Sequence, residues 1–216
     1  MEEARQLGSK VKAVLFDMDG VLIDAKDWHY EALNKALGLF GIEISRYDHV
    51  HTFDGLPTKV KLQMISENHF LPVQLHDFIN QMKQRYTADL IYQRCHPMFQ
   101  HEYALSKLHL EGYRIAVCSN SIRSTIELMM ERAQLTSYLD LIISNEDVTK
   151  AKPDPEMYLT AMKRFGLRPE ECIVVEDNPK GIQAGKASGA AVLEVATVYD
   201  VNYENIMRKI GEVENG

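Results

Sequence analysis

Short apolar runs punctuate the chain at residues 13–16, 115–118, 141–144 and 173–175, with a further run at 191–195. None alternates cleanly between apolar and polar positions. Runs of this length without alternation belong to strands covered on both faces, as in a parallel sheet. Between them lie stretches with apolar residues at helical spacing. Residues 99–110 lead to Gly112, a helix stop, and 122–133, 155–165 and 179–187 follow the second, third and fourth runs. Strand and helix in alternation predict a doubly wound, Rossmann-like α/β fold around a parallel sheet. Residues 25–94 break that rhythm, with helical patterns at 28–40, 58–68 and 74–94 and no strand pattern. They predict an all-helical cap domain, 25–94, inserted into an α/β core made of 1–24 and 95–216. In open α/β sheets ligands bind beyond the carboxyl ends of the strands, so an insertion after the first strand would close over the crevice. The short polar end, 211–216, is expected to fray.

A chain of 216 residues suits one large domain or a core with a smaller module, and 45% apolar with 25% charged residues is an ordinary globular balance. The net charge of −7 argues against broad electrostatic binding to nucleic acid or an anionic membrane. It leaves room for a small anion held by a local cation or a helix N-terminus. The first apolar run, 11–16, is too short to span a membrane or serve as a signal segment, so a cytoplasmic protein is expected. Cys95, Cys118 and Cys172 are widely spaced, which fits a reducing compartment and neither a zinc site nor a disulfide framework. A monomer is the default expectation.

The polar residues that end the strands carry the chemistry. The first strand runs into Asp17-Met18-Asp19-Gly20. Two carboxylates two apart on extended backbone point to one side and repel, unless a proton or a cation such as Mg²⁺ sits between them. The second strand ends Ser119-Asn120 before a helix, a pattern that suits either a phosphate cradle or ordinary N-capping. Lys150-Ala151-Lys152-Pro153-Asp154-Pro155 is a rigid loop that aims a lysine at an anion or leaves it solvated. Glu176-Asp177 adds two acids at the end of the fourth strand. Each pattern is weak alone. Four of them at the carboxyl ends of strands in one sheet read as one site.

In this combination and order the chain resembles the haloacid dehalogenase-like superfamily of phosphotransferases, in the subgroup with a helical cap after the first motif. The segment Gly181-Ile182-Gln183-Ala184-Gly185 looks like the part of it that contains β-phosphoglucomutase and sugar-phosphate phosphatases. The resemblance implies that Asp17 is a nucleophile forming an aspartyl-phosphate and that Asp19 is the general acid and base. It implies that Lys152 neutralises charge and that Ser119 and Asn120 bind phosphoryl oxygens. It also implies that Mg²⁺ is held by Asp17, the main-chain carbonyl of Asp19 and Asp177, with Glu176 acting through a water. An Asp two residues after the nucleophile favours phosphate chemistry, because the dehalogenases and phosphonatases of the superfamily lack it.

A phosphatase for a small phosphorylated metabolite is therefore expected. The alternative is a β-phosphoglucomutase-like mutase, and the less favoured one a non-catalytic binder of metal or phosphate. Against the mutase, Ala25 stands where that enzyme has a threonine, and Thr58 where it has an arginine for the second phosphate. Lys59 is placed to compensate, and His29 matches a mutase histidine. Trp28, His29, His51, Phe53, Lys59 and Arg85 are the cap candidates for the leaving group, with Trp28 and Phe53 equally suited to packing. The pair His49 and His51 reads as surface, and Glu170-Glu171 as a solvated loop.

Overall fold

The computed structural model describes residues 10–68 and 71–215. Its five strands are β1 (Ala13–Phe16), β2 (Arg114–Cys118), β3 (Leu141–Ile143), β4 (Cys172–Glu176) and β5 (Ala191–Glu194). They form one parallel sheet in the order β3-β2-β1-β4-β5. β1 is central and every residue of it is buried. The ladder aligns Phe16 with Val117 on one side and with Val175 on the other, so Asp17, Cys118 and Glu176 reach the same level. The chain leaves β1 toward β2 and β3, then returns to β4, which makes the β1–β4 junction the topological switch point where such sheets bind ligands.

The helices are α1 (Lys26–Gly38), α2 (Arg46–Asp48), α3 (Thr58–Asn68), α4 (His76–Arg94), α5 (Phe99–Leu110), α6 (Arg123–Arg132), α7 (Glu156–Phe165), α8 (Pro179–Ala187) and α9 (Tyr203–Asn215). Alternate strand residues serve opposite faces of the sheet. Val14, Phe16, Ile115, Val117, Ile173 and Val175 pack with Leu105, Met129, Ile206 and Ile210, while Leu15, Ala116 and Val174 pack with Met157, Tyr158 and Ala184. Both faces are therefore covered, which is why the strands read as unbroken apolar runs. Helices α1 to α4 bury a core of their own around Leu33, Leu37, Phe53, Leu62, Ile65 and Ile79. No helix among the described residues is long and apolar enough to cross a membrane.

Three expectations are corrected. Residues through Asn215 are helical rather than frayed, because α9 buries Ile206 and Ile210 and Lys10 Nζ reaches the Val213 carbonyl at 3.5 Å; Gly216 lies outside the described residues. Glu171 is buried and accepts from Lys12 Nζ at 2.7 Å and from the Arg168 amide at 2.9 Å, while Glu170 stays exposed. The segment after α2, His49–Phe53, is a π-helical turn that buries His49 against Tyr30, so only His51 of that pair lies on the surface.

Candidate active site

β1 ends where its last ladder bond, from the Asp17 amide to the Val175 carbonyl at 3.0 Å, gives way to a tight turn. In that turn the Gly20 amide donates to the Ile23 carbonyl at 2.7 Å and Gly20 adopts φ +92°. A Cβ on Gly20 would fall on the Asp177 carboxylate and the Lys26 side chain, so this position needs glycine both for its backbone and for its space. The turn sets Asp17 and Asp19 at the mouth of the crevice.

Lys152, from the loop before α7, is buried and spends its three protons on three acceptors. Nζ donates to Asp17 Oδ1 at 2.6 Å, Glu176 Oε1 at 2.7 Å and the Cys118 carbonyl at 2.8 Å. The Tyr158 hydroxyl donates to the same Glu176 oxygen at 2.6 Å. Burial opposes the Lys152 charge, but Asp17 and Glu176 outweigh it and hold the ammonium firmly protonated. Burial drives the Asp17 carboxyl well above the ordinary carboxylate range; Lys152 opposes that, and Glu176, Asp19 and Asp177 reinforce it. Gly181, at the start of α8, makes room for Glu176, since a Cβ there would overlap the Glu176 carboxylate. Gly181→Ala is expected to displace that carboxylate and, as an overpacked core change costing about 1–3 kcal/mol, to lower the melting temperature by roughly 2–12 °C. Calorimetric melting of the variant checks it.

Asp17, Glu176 and Asp177 each offer a carboxylate oxygen within 4.8 Å of the others. Asp177 Oδ1 is buried with no hydrogen-bond partner among the described residues, and its Oδ2 faces the Lys26 ammonium. Burial raises the Asp177 carboxyl. Three close carboxylates, one of them with an unsatisfied oxygen, and an all-oxygen donor set fit a hard divalent cation such as Mg²⁺. A cation there would also relieve the repulsion that raises Asp17.

Asp19 sits in a different environment. His29 Nε2 lies 3.0 Å from Asp19 Oδ1, and Lys83 Nζ lies 3.3 Å from His29 Nδ1. The ammonium can only donate, so Nδ1 accepts and the His29 proton sits on Nε2, directed at Asp19. Ser121 Oγ adds a long contact to Asp19 Oδ2 at 3.4 Å. Burial alone would raise the Asp19 carboxyl, but His29, Lys83 and Ser121 together lower it. Burial keeps His29 itself below its ordinary value.

The remaining walls join cap to core. Asn120 Nδ2 donates to the Gly55 carbonyl at 2.9 Å, and Asn120 Oδ1 accepts from the Lys152 amide at 3.3 Å. Asn178 Nδ2 donates to Asp54 Oδ2 at 2.7 Å, and Lys180 Nζ to the Asp54 carbonyl at 2.6 Å. Ser119 Oγ is buried and accepts from the Ser121 amide at 3.1 Å. Helix α6 starts at Arg123, so Ser119 and Asn120 sit in the strand-to-helix turn before the helix N-terminus.

Asp17, Asp19, Lys152, Ser119, Asn120, Glu176, His29 and Lys59 all line one cavity of about 190 Å³, with Asp177 behind it. That volume is small beside the roughly 300–1,000 Å³ of drug-sized ligand sites, which suits a small metabolite. Trp28, His51, Phe53 and Arg85 do not line it. Trp28 packs on the sheet core, Phe53 lies in the core of the cap, His51 stacks on Tyr47 and Arg85 is exposed. Lys26, His49, Lys61, Asn80, Lys83 and Ser121 do line it and were not singled out as site residues by the sequence reading. The only signal for the two buried lysines is their position on faces of α3 and α4 that also bury Leu62, Ile65 and Ile79.

Fold and site together define a capped, doubly wound α/β protein with an acidic, lysine-bridged cleft at its switch point. The haloacid dehalogenase-like hydrolase model matches residues 14–195, and the chain belongs to that family. Among its relatives is the phosphorylated carbohydrates phosphatase of Thermotoga maritima, 26% identical over 94% of this chain and all of that protein. Another is the phosphoglycolate phosphatase of Aquifex aeolicus, 27% identical over 83% of this chain and 82% of that one. The β-phosphoglucomutase structure from Clostridium difficile superposes with a TM-score of 0.80 at 22% identity, covering 94% of this chain and 98% of that one.

Proposed function

We propose that the protein is a Mg²⁺-dependent phosphatase that hydrolyses a small phosphomonoester, a sugar phosphate or similar metabolite, through an aspartyl-phosphate on Asp17. The observation that carries this reading is the buried Lys152 ammonium, 2.6 Å from Asp17 and 2.7 Å from Glu176, beside the oxygen cluster with Asp177. The phosphatase names of relatives that span most of the chain support it.

Asp17, Asp177 and the Asp19 carbonyl, with Glu176 behind them, are the groups that would hold Mg²⁺, which supplies charge neutralisation for a transferring phosphoryl group. Asp17 attacks phosphorus with a carboxylate oxygen while Asp19 gives its proton to the departing alcohol oxygen. Asp19, now ionised, takes a proton from the water that attacks the phospho-aspartate, releasing inorganic phosphate and restoring both carboxyls. Lys152 balances charge on the phosphoryl oxygens and orients Asp17. Without substrate, His29, Lys83 and Ser121 hold Asp19 toward its ionised form. A phosphate dianion arriving beside it favours proton uptake, so the acid form is made where it is used.

The test is phosphate release from a panel of sugar, nucleotide and small-alcohol phosphates, with Mg²⁺ and with EDTA. Release that requires Mg²⁺ supports the phosphatase. Conversion of β-glucose 1-phosphate to the 6-phosphate without release supports the mutase instead. Asp19→Asn is expected to slow alkyl phosphates by about 10²–10⁴-fold. With p-nitrophenyl phosphate, whose leaving group needs no proton, the same variant is expected to give one rapid equivalent of p-nitrophenol and then a slow phase. A stopped-flow trace with no burst contradicts the assignment of Asp19 to both steps.

A further inference from the structure

Besides Lys152, a second ammonium reaches the acidic cluster. Lys26 opens α1, and its Nζ pairs with Asp177 Oδ2. The Lys26 side chain is 39% exposed and that of Asp177 only 1%, so the pair runs from the open cavity, which Lys26 lines, to the carboxylate behind it. The stem of Lys26 crosses the turn at Gly20. A Cβ on that glycine would fall on Lys26 Cε as well as on the Asp177 carboxylate, so the bare glycine leaves the passage by which the ammonium arrives. The other acids that face Lys26 are Asp54 and Asp17, and these accept from Asn178 and from Lys152.

Lys26 is badly placed for its own helix. The first turn of a helix favours acids, because its free amides and the dipole are positive there. Ala25, at the N-cap, makes no side-chain bond that would offset this. A residue that breaks a local rule is retained where it gains elsewhere, and the gain here is the charge it brings to Asp177. Asp177 is also one of the three carboxylates whose oxygens fit a divalent cation. An ammonium and a metal ion claim the same lone pairs. They cannot both hold Oδ2, and a metal on the neighbouring oxygen would repel the ammonium at close range. A lysine on a flexible, partly exposed stem can leave, whereas the buried carboxylate cannot.

We infer that Lys26 is a tethered counter-ion that Mg²⁺ must displace from Asp177, and that it thereby sets how weakly the protein holds its metal. This rests on the metal-site part of the proposed function and is independent of which phosphomonoester is hydrolysed. Lys26 acts through Asp177 and is a positioning residue.

The experiment titrates Mg²⁺ alone into the full-length protein, without substrate, and reads binding by calorimetry and the melting temperature at each Mg²⁺ concentration. No turnover is involved, so its outcome is separate from that of the phosphate-release assay. Lys26→Met is expected to bind Mg²⁺ about 10-fold more tightly than the native protein, the scale of one charge-assisted hydrogen bond. In EDTA the variant should melt below the native protein, since Asp177 has lost its counter-ion. Mg²⁺ should then raise its melting temperature by more than it raises the native one. Lys26→Gln, which also lacks the charge, should behave in the same way, and Lys26→Arg should stay near the native affinity. Lys180→Met removes an equal charge from the same cavity, but that ammonium sits on the Asp54 carbonyl, so its Mg²⁺ affinity should stay near native too. Mg²⁺ binding to the Met and Gln variants that is unchanged or weaker overturns the inference. Equal tightening in Lys180→Met, or no Mg²⁺ binding to any of these proteins, overturns it as well.

Discussion

Asp17→Asn is expected to abolish phosphate release, with a loss of at least about 10⁴-fold, the scale seen when an enzyme loses its nucleophile. The change removes one negative charge from a cluster that is short of positive charge and keeps an oxygen that can accept from Lys152. The native Asp17 carboxyl is pushed far up by burial, with Glu176, Asp19 and Asp177 adding to it. Its replacement by a neutral amide relieves that repulsion. The variant should therefore melt at or above the native temperature in EDTA while being inactive. A variant that is both unstable and inactive would assign Asp17 to the architecture instead.

Lys152→Met should fail on both counts. It leaves Asp17 and Glu176 buried with no cation between them, where native Lys152 reaches both within 2.7 Å. Breaking a buried ion cluster by removing one partner costs about 3–5 kcal/mol, and activity should fall with it. The pH dependence has a definite sign. Native Lys152 is raised above its unfolded value, so its contribution is complete below the ordinary lysine range and is lost only as pH climbs through the raised folded value. In the variant the two acids lose their cation, and the folded state keeps a proton that the unfolded chain releases. The stability of Lys152→Met should then fall as pH rises above the ordinary carboxylate range. The deficit relative to the native protein should shrink in acid. Denaturant unfolding of both proteins between pH 5 and pH 8 reads this directly.

The strand ends were legible because a buried parallel strand is an unbroken apolar run, and its first polar residue marks where the backbone meets the crevice. Asp17, Ser119 and Glu176 all follow that rule, and β1, α5 and α8 begin and end where the pattern places them. The structure adds how the motifs meet. Lys152 to Asp17 spans 135 positions, and no local pattern reveals that a loop lysine will bury its ammonium there. Lys61 and Lys83 look like ordinary solvated lysines on polar helices; only the meeting of α3 and α4 above the crevice makes them buried. Glu171 reads as solvated for the same reason, since its partner Lys12 lies 159 positions away. His49 reads as surface because the π-helical turn that carries it against Tyr30 has no simple period. At the carboxyl end, Ile206 and Ile210 form a clear helical face, but the polar last residues hid how far the helix runs.

The most direct test of the account is where the phosphoryl group goes. Native protein mixed with Mg²⁺ and a ³²P-labelled substrate, quenched in acid within its first turnover and digested, should carry label on the peptide containing Asp17. Hydroxylamine should remove that label, as it does from an acyl phosphate, and Asp17→Asn should show none. Label on a different residue, or native-rate turnover in Asp17→Asn, would contradict the account.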